Sequence, residues 1–586
     1  MDELIKKLIY EAQSTQDVKN ILTDFKLLDR DLWKPINEDY SNETIIRGQS
    51  PSPELALGER CTNSIDSILM RKCVEKGIDP WDTITAPKTM TEATEQFFNI
   101  PDGKLGKYEK DISDVCEIFC TATGRDEKKL TLNLVDFGEG QTPDFMKFSF
   151  LSLPARKRPY KLGIPFVQGR YNQGSSGSYK FSDYVLIVTK RAPTLVEKSA
   201  RVIVDKTYDI SKITIEEIYQ RKEEWGWTLI TKFPRRNSNE TSWYGYLAPD
   251  DHIPSFKADK LGLIPPKHLP QISRSLTNKQ KESELKKIRS MGTQVAYSEP
   301  IQSGTLVKLF DFPLRNAINA DLWSEGARQL RSEVFYQLPI PIKMIELREW
   351  GTRIKGSGDA AYLTGLLNSI LQFDKGENKL IRPGWPKGPE IVRIDGLEGE
   401  VKITKWILNT EKGGSDQSEN WLGGSSVVYV LNGQVHAREK EGYLGRLKLY
   451  NLEGSLLVVV DVNYMPIEIR DKIFRVERAF MEETDEAILL KEFVKKQISD
   501  DDEIKKVNND KFFESTSDVE LDEKYTQRII EKLSKDNPLM RELLFGTQLP
   551  VAAGGIKLIK KRGKKYKDVK FGVKSPSFFQ SKRGPN

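Results

Sequence analysis

Histidine is nearly missing from this chain: His252, His268 and His436 are the only three in 586 residues. So few imidazoles leave little for zinc binding or for acid/base chemistry built on histidine, which disfavours metal hydrolases. Cysteine is scarce too. Cys61, Cys73, Cys116 and Cys120 all fall in the first 120 residues, and none has a second Cys/His pair at zinc spacing, so they read as reduced, buried thiols. No apolar run approaches the ~18–20 residues that a membrane span requires. The N-terminal MDELIKKLIYEAQ reads as an amphipathic helix without the apolar centre of a signal peptide, and a cytoplasmic protein is expected. A P-loop is absent as well: the nearest stretch to G-x-x-x-x-G-K-[ST], Gly351 to Ser357, lacks the lysine.

The composition itself is that of an ordinary globular protein, 38% hydrophobic and 30% charged, with a net charge of only +6. At 67.0 kDa the chain exceeds one core, and about three or four structural units are expected. Charge is unevenly placed. Residues 482–523 are rich in acids, including Asp500, Asp501, Asp502 and Glu503, whereas the last thirty residues carry eleven Lys and Arg, from Lys557 to Arg583, against the single acid Asp568. A basic end of this kind contacts phosphate backbones or is simply a solvated tail; the sequence allows both.

Hydrophobic periodicity predicts a helix over 54–75, with Leu55, Ile65, Ile68 and Leu69 apolar and a stop at Gly77 and Pro80. On it Glu59, Asn63 and Asp66 stand at i, i+4 and i+7, which places two carboxylates and an amide on one face. Glu59 there could accept a proton from an attacking water, and Asn63 could offer its amide oxygen to Mg²⁺, which takes few protein ligands beside phosphate oxygens. Taken alone, the stripe fits the solvated face of a surface helix equally well. Leu130–Val135 is a β-rich run ending in Asp136-Phe-Gly138-Glu-Gly140, where a carboxylate could accept from an exocyclic amine and the two glycines could let backbone approach a ligand. A Gly/Ser segment running to Gly174-Ser175-Ser176-Gly177 could wrap phosphates with backbone N–H groups, or be a plain loop. Gly304-Thr305 opens another strand.

In this order the four elements, Glu-x-x-x-Asn-Ser-x-Asp on a helix, Asp-x-Gly-x-Gly after a strand, a Gly-rich segment and Gly-Thr on a strand, resemble the GHKL ATPases: the DNA gyrase B subunit, the ninety-kilodalton heat-shock chaperones, MutL and MORC. The resemblance covers roughly residues 50–480 and is nearest to MORC/MutL-like ATP-binding proteins of prokaryotic defence islands. It implies an α/β fold of the α+β sandwich kind, with a GHKL (Bergerat) ATPase domain over 1–337 carrying an insertion near 195–300. A transducer-like α/β domain over 338–480, an acidic helical segment over 481–550 and a basic tail over 551–586 would follow. ATP and Mg²⁺ are the implied cofactors. Glu59 is implied as general base, Asn63 as Mg²⁺ ligand and Asp66 as a polar support beside the nucleotide. Asp136 would read the adenine amine, Gly138 and Gly140 would give a tight approach, and Gly174, Ser175, Ser176 and Gly177 would form a lid over the phosphates. Thr305 would help hold the base. In the transducer, Gln434 and Arg438 would be candidates to reach the γ-phosphate, while Asn432-Gly433 also fits a plain hairpin turn. Two features depart from the family pattern: Tyr179 stands where a third lid glycine is usual, and the interval from Asp136 to Thr305 is long.

The implied function is a nucleotide-gated dimeric clamp acting on DNA in prokaryotic anti-phage defence or DNA maintenance, with an ATP-dependent homodimer and a partner nuclease or helicase, and no membrane. The alternative is a chaperone-like or scaffold ATPase that clamps a protein partner. A sensor histidine kinase is set aside because no histidine precedes residue 252, and a complete type II topoisomerase because about a hundred residues after the transducer leave no room for cleavage domains.

Overall fold

The computed structural model describes residues 2–82, 84–105, 109–124, 130–153, 161, 163–169, 174–195, 219–235, 241–266, 277, 279–280, 283, 293–314, 322, 326–348, 361–374, 380–409, 422–439, 442–474 and 480–517. The basic tail expected to meet DNA lies outside them. Among the described residues no helix is long and apolar enough to cross a membrane.

The described residues form seventeen strands: β1 (33–35), β2 (118–123), β3 (130–136), β4 (184–190), β5 (224–233), β6 (243–247), β7 (255–257), β8 (261–264), β9 (299–301), β10 (304–312), β11 (342–346), β12 (361–363), β13 (387–393), β14 (400–407), β15 (427–431), β16 (434–439) and β17 (456–461). Ten form one mixed sheet in the order β1-β6-β5-β4-β10-β3-β2-β11-β12, with β7 on β5; five form a second sheet, β13-β14-β17-β15-β16; β8 and β9 pair by themselves. Strand alternation feeds both faces of the first sheet. Leu130, Leu132 and Leu134 of β3 and Val307 and Leu309 of β10 join one core with Leu57, Cys61, Ile65, Ile68 and Leu69 of the long helix Pro53–Glu75. The opposite face, with Leu186, Val188, Leu306 and Phe310, packs on Leu4, Ile5, Leu8 and Ile9 of the N-terminal segment. Burying a Leu or Ile contributes ~2 kcal/mol, so the long helix is fixed to the sheet far more firmly than its own propensity would hold it.

The long helix has both ends written in sequence. Ser52 accepts from Leu55 N at 3.3 Å as N-cap and Pro53 occupies the first turn. Gly77, at φ +77°, closes the C-terminus, with Gly77 N donating to Val74 O at 2.9 Å and Ile78 N to Cys73 O at 3.1 Å, the paired bonds of a Schellman motif.

The expected domain layout changes in places. The first strand of the segment expected as the transducer-like domain, β11, runs parallel to β2, Ile342 opposite Ile118, inside the first sheet, because an apolar-rich run signals burial but not which sheet buries it. The region 195–300 is not wholly an insertion. Its strand β5 pairs antiparallel with β4 from Tyr184↔Thr231 to Thr189↔Gly226, β6 extends the sheet beyond it, and Trp225 and Trp227 are fully buried. Between β10 and β11 the described residues include a short helix, Ala327–Gln329 continued by Leu330–Val334. Over 481–517 the acidic segment is helical as expected, Asp485–Ser499 then Asp502–Ser517.

The central strands of the second sheet, β15 and β17, are buried on both faces. Tyr429 and Val458 enter one core, Val428, Val430 and Val459 the other, and the latter includes Tyr336 and Leu366. Its β15–β16 turn, Asn432-Gly433, has φ of +46° and +76°, the pair of positive values that a type I′ hairpin requires. This turn is pressed on the first sheet's domain: a Cβ on Gly433 would lie 2.2 Å from Gln337 O. Gly433→Ala is therefore expected to cost at least ~1 kcal/mol. Urea unfolding checks it, and an unchanged midpoint would contradict the packing described.

Candidate functional site

The long helix crosses the ends of β3 and β10, and a pocket of about 740 Å³, open solvent at its mouth included, lies between them. Helical spacing puts Arg60, Ser64 and Ser67, at i, i+4 and i+7, on its wall, with Asn63 beside them; Asp136, Glu139, Gln141, Ser149, Lys161 and Thr305 complete the polar lining, and Met70, Leu134, Val307 and Phe150 the apolar one. Sheet register explains why residues far apart in sequence meet here. Thr305 is the direct cross-strand neighbour of Asp136 on one side and of Thr189 on the other.

Asp136 is held by few groups. Its Oδ2 accepts from Ser64 Oγ at 2.9 Å and its Oδ1 from Gly138 N at 3.0 Å. Burial pushes the carboxyl up to about 7, against the smaller lowering effects of those two hydrogen bonds and of Lys161. Thr305 Oγ1 lies 3.0 Å from Thr189 Oγ1, which also accepts from Gln141 N at 2.9 Å. Hydroxyls and an amide are thus fixed around an acceptor that carries no bonded cation of its own among the described residues.

Asp66 is buried beneath the pocket, with Oδ1 accepting from Gln168 N and Oδ2 from Gly169 N, both at 2.8 Å. Lys161 Nζ donates to Asp66 Oδ2 at 2.7 Å and to Asn63 Oδ1 at 3.0 Å. The Asn63 oxygen is therefore engaged by the Lys161 ammonium, which a Mg²⁺ ion would have to displace to be held there. Three or more His, Cys, Asp or Glu grouped for a metal are not found among the described residues, so any divalent ion here would lean on phosphate oxygens. Glu59, half-buried one turn before Asn63, is met from the second sheet: Gln434 Nε2 reaches its Oε1 at 3.5 Å, the outer limit of a hydrogen bond.

That approach is anchored by Asn432. Its Nδ2 donates to Pro165 O and Val167 O, each at 2.9 Å, its backbone oxygen accepts from Gln168 Nε2 at 2.7 Å, and its Oδ1 accepts from Met90 N at 3.3 Å. The hairpin reading of Asn432-Gly433 holds, and the same turn docks on the segment that clasps Asp66. Arg438 pairs with Glu333 at 3.0 Å instead of turning to the pocket.

Other expected residues sit elsewhere. Gly138 and Gly140 make their close approach to protein: added Cβ atoms would meet Ser67 Oγ at 2.1 Å and Lys190 O at 1.9 Å. Gly174–Phe181 is a short 3₁₀ helix against the long helix, not an open phosphate-wrapping loop. In it the Ser176 hydroxyl donates to Gln49 Oε1, and Gly177 backs onto Ser50. Of Gly174 and Ser175 only the backbone is described. Sequence reasoning missed Arg60, Ser64 and Ser67, although their spacing repeats that of Glu59, Asn63 and Asp66; Lys161, in a loop after Arg156-Lys157-Arg158, gave no such signal. All four cysteines are free and buried.

No family model matches the sequence, and a search of curated proteins finds no match.

Asp136 makes stability pH-dependent in a defined direction. A carboxyl raised from 3.8 to about 7 binds more protons folded than unfolded, so its contribution falls as pH rises from about 4 to about 7 and is flat above. Asp136→Asn abolishes that titration. Relative to wild type, it is expected to gain up to ~4 kcal/mol between pH 4 and pH 8 in denaturant unfolding. A stability difference that does not change with pH would show that Asp136 titrates normally.

Proposed function

We propose that this chain is an ATP-binding and hydrolysing protein of the GHKL kind, working as a nucleotide-gated dimeric clamp on DNA in prokaryotic defence or DNA maintenance. One observation carries the reading: Asn63, Asp136 and Thr305, the base- and metal-directed residues the resemblance implies, line a single pocket although they are separated in sequence. The mixed α/β architecture, with a sheet under the long helix and a second sheet reaching Glu59, supports it.

The pocket suits an adenine nucleotide. Apolar walls fit a base, and the Asp136 carboxylate can accept from its exocyclic amine beside the Thr305 hydroxyl. Asn63 would share a Mg²⁺ with the phosphates through its amide oxygen, and Lys161 would offer a positive charge close by. Bound there, ATP supplies the phosphoanhydride bond that is cleaved. Glu59, on the same face as Asn63, takes a proton from the attacking water, and Gln434 orients that carboxylate from the second sheet. A contact between the catalytic carboxylate and the other sheet lets nucleotide state bias the arrangement of the two, the differential interaction that a clamp needs. The eleven Lys and Arg of the tail supply sequence-independent phosphate contacts to DNA.

Glu59→Gln is expected to keep ATP binding and to lower kcat by ~100-fold or more, read by phosphate release and by nucleotide titration. Unchanged turnover removes Glu59 as the base. Gel shifts should show DNA affinity falling at least ~10-fold between 50 and 200 mM salt, and removal of residues 551–586 should abolish it. Retention that ignores both salt and truncation contradicts the DNA arm.

A further inference from the structure

Two cations line the pocket, and they differ in how they are balanced. Lys161 has a carboxylate partner, Asp66, at 2.7 Å. Arg60 is 3% exposed and takes part in no ion pair among the described residues. Its Nε donates to Ser178 Oγ at 2.8 Å and its guanidinium lies 4.9 Å from the Tyr179 ring centroid, both on the 3₁₀ helix Gly174–Phe181. Its Nη2 is buried and meets no acceptor among the described residues. A buried guanidinium nitrogen without an acceptor costs free energy unless a water or a ligand oxygen supplies one.

Its place along the helix says which part of a ligand that is. Ser64, which donates to Asp136, marks the level of the amine-binding end, and Arg60 stands one helical turn further toward the N-terminus, ~6 Å away. A nucleotide with its base amine on Asp136 directs ribose and phosphates away from that end. The guanidinium extends beyond its own Cα, and it donates in a planar fork suited to phosphate oxygens.

We propose that Arg60 is the phosphate-binding residue of this pocket, with Nη2 reserved for a phosphate oxygen of the bound nucleotide. The inference rests on the nucleotide reading and extends it. It also explains Tyr179, which stands where the family pattern has a third lid glycine: an aromatic ring here backs the guanidinium and fixes its direction, which a glycine could not do. Phosphate binding is thereby tied directly to the 3₁₀ helix through Ser178 and Tyr179.

The test is calorimetric titration of the full chain with adenosine, AMP and ADP in EDTA, so that no divalent ion contributes, for wild type, Arg60→Met and Arg60→Lys. Wild type is expected to bind ADP more tightly than adenosine. Arg60→Met, which keeps an unbranched stem over Tyr179, should weaken ADP at least tenfold and leave adenosine within twofold. Arg60→Lys should fall between, since one ammonium cannot reproduce the fork, and it carries the test if the Met variant does not fold. An unchanged ADP-to-adenosine ratio in the folded variants overturns the role of Arg60 while leaving the nucleotide reading intact. Equal losses for adenosine and ADP overturn it too, because they mark a structural residue. Wild type that binds neither ligand overturns the nucleotide reading, and this inference with it.

Discussion

Asp136 is a buried carboxylate, under the long helix and at the end of a central strand, and among the described residues one hydroxyl and one backbone amide donate to it. Removing a carboxylate from water is expensive unless donors replace the lost hydration, and two neutral donors replace only part of it. The raised titration of this group is the signature of that shortfall. Much of the surrounding architecture keeps it in place: β10 and β4 align Thr305 and Thr189 beside it, Ser67 holds Glu139 N so that the chain turns tightly after the strand, and Gly138 and Gly140 allow that turn to pack. A ligand that donates to Asp136 meets an acceptor whose desolvation was completed during folding, so little of the interaction is lost to reorganisation.

The second constraint is the hairpin of the other sheet. Asn432 satisfies backbone carbonyls at Pro165 and Val167 and accepts from Met90 and Gln168, all outside its own sheet. Such an amide is hard to replace, because each partner would be left buried without its bond. The same segment, 165–169, presents its next two amides to Asp66. Asp66 therefore links the helix of Glu59 and Asn63 to the loop on which the second sheet rests. Any change at the pocket that moves Lys161 away from Asp66 alters a bond in this chain of contacts.

What was legible in the sequence follows from which physics is local. Helix caps, the 3.6-residue period and the stripe of Glu59, Asn63 and Asp66 are local, and the long helix is found one residue from its expected start. Strand β3 and the turn at Asn432-Gly433 were equally readable. Sheet membership was not, because pairing is decided by partners far along the chain; β11 and β5 carry the right pattern for strands and none for their neighbours. The glycines misled for a related reason. Composition says that a backbone is approached closely but not by what, and at Gly138 and Gly140 the approaching groups are Ser67 and Lys190. Arg60 belongs to a second stripe with Ser64 and Ser67 that lines the pocket, whereas of Glu59, Asn63 and Asp66 only Asn63 does, and the helical period alone does not say which stripe faces a ligand. Lys161 lies in a loop, where no period marks a side chain as inward.

In the proposed reading, the acceptor at Asp136 selects an adenine nucleotide. The most direct test is a competition titration of ADP against GDP at pH 8, where the carboxylate is charged. The amine of adenine can donate to Asp136, whereas guanine at the equivalent position presents a carbonyl oxygen that a buried carboxylate repels. ADP is expected to bind at least ~100-fold more tightly than GDP. Equal binding of the two, or binding of neither, would contradict it.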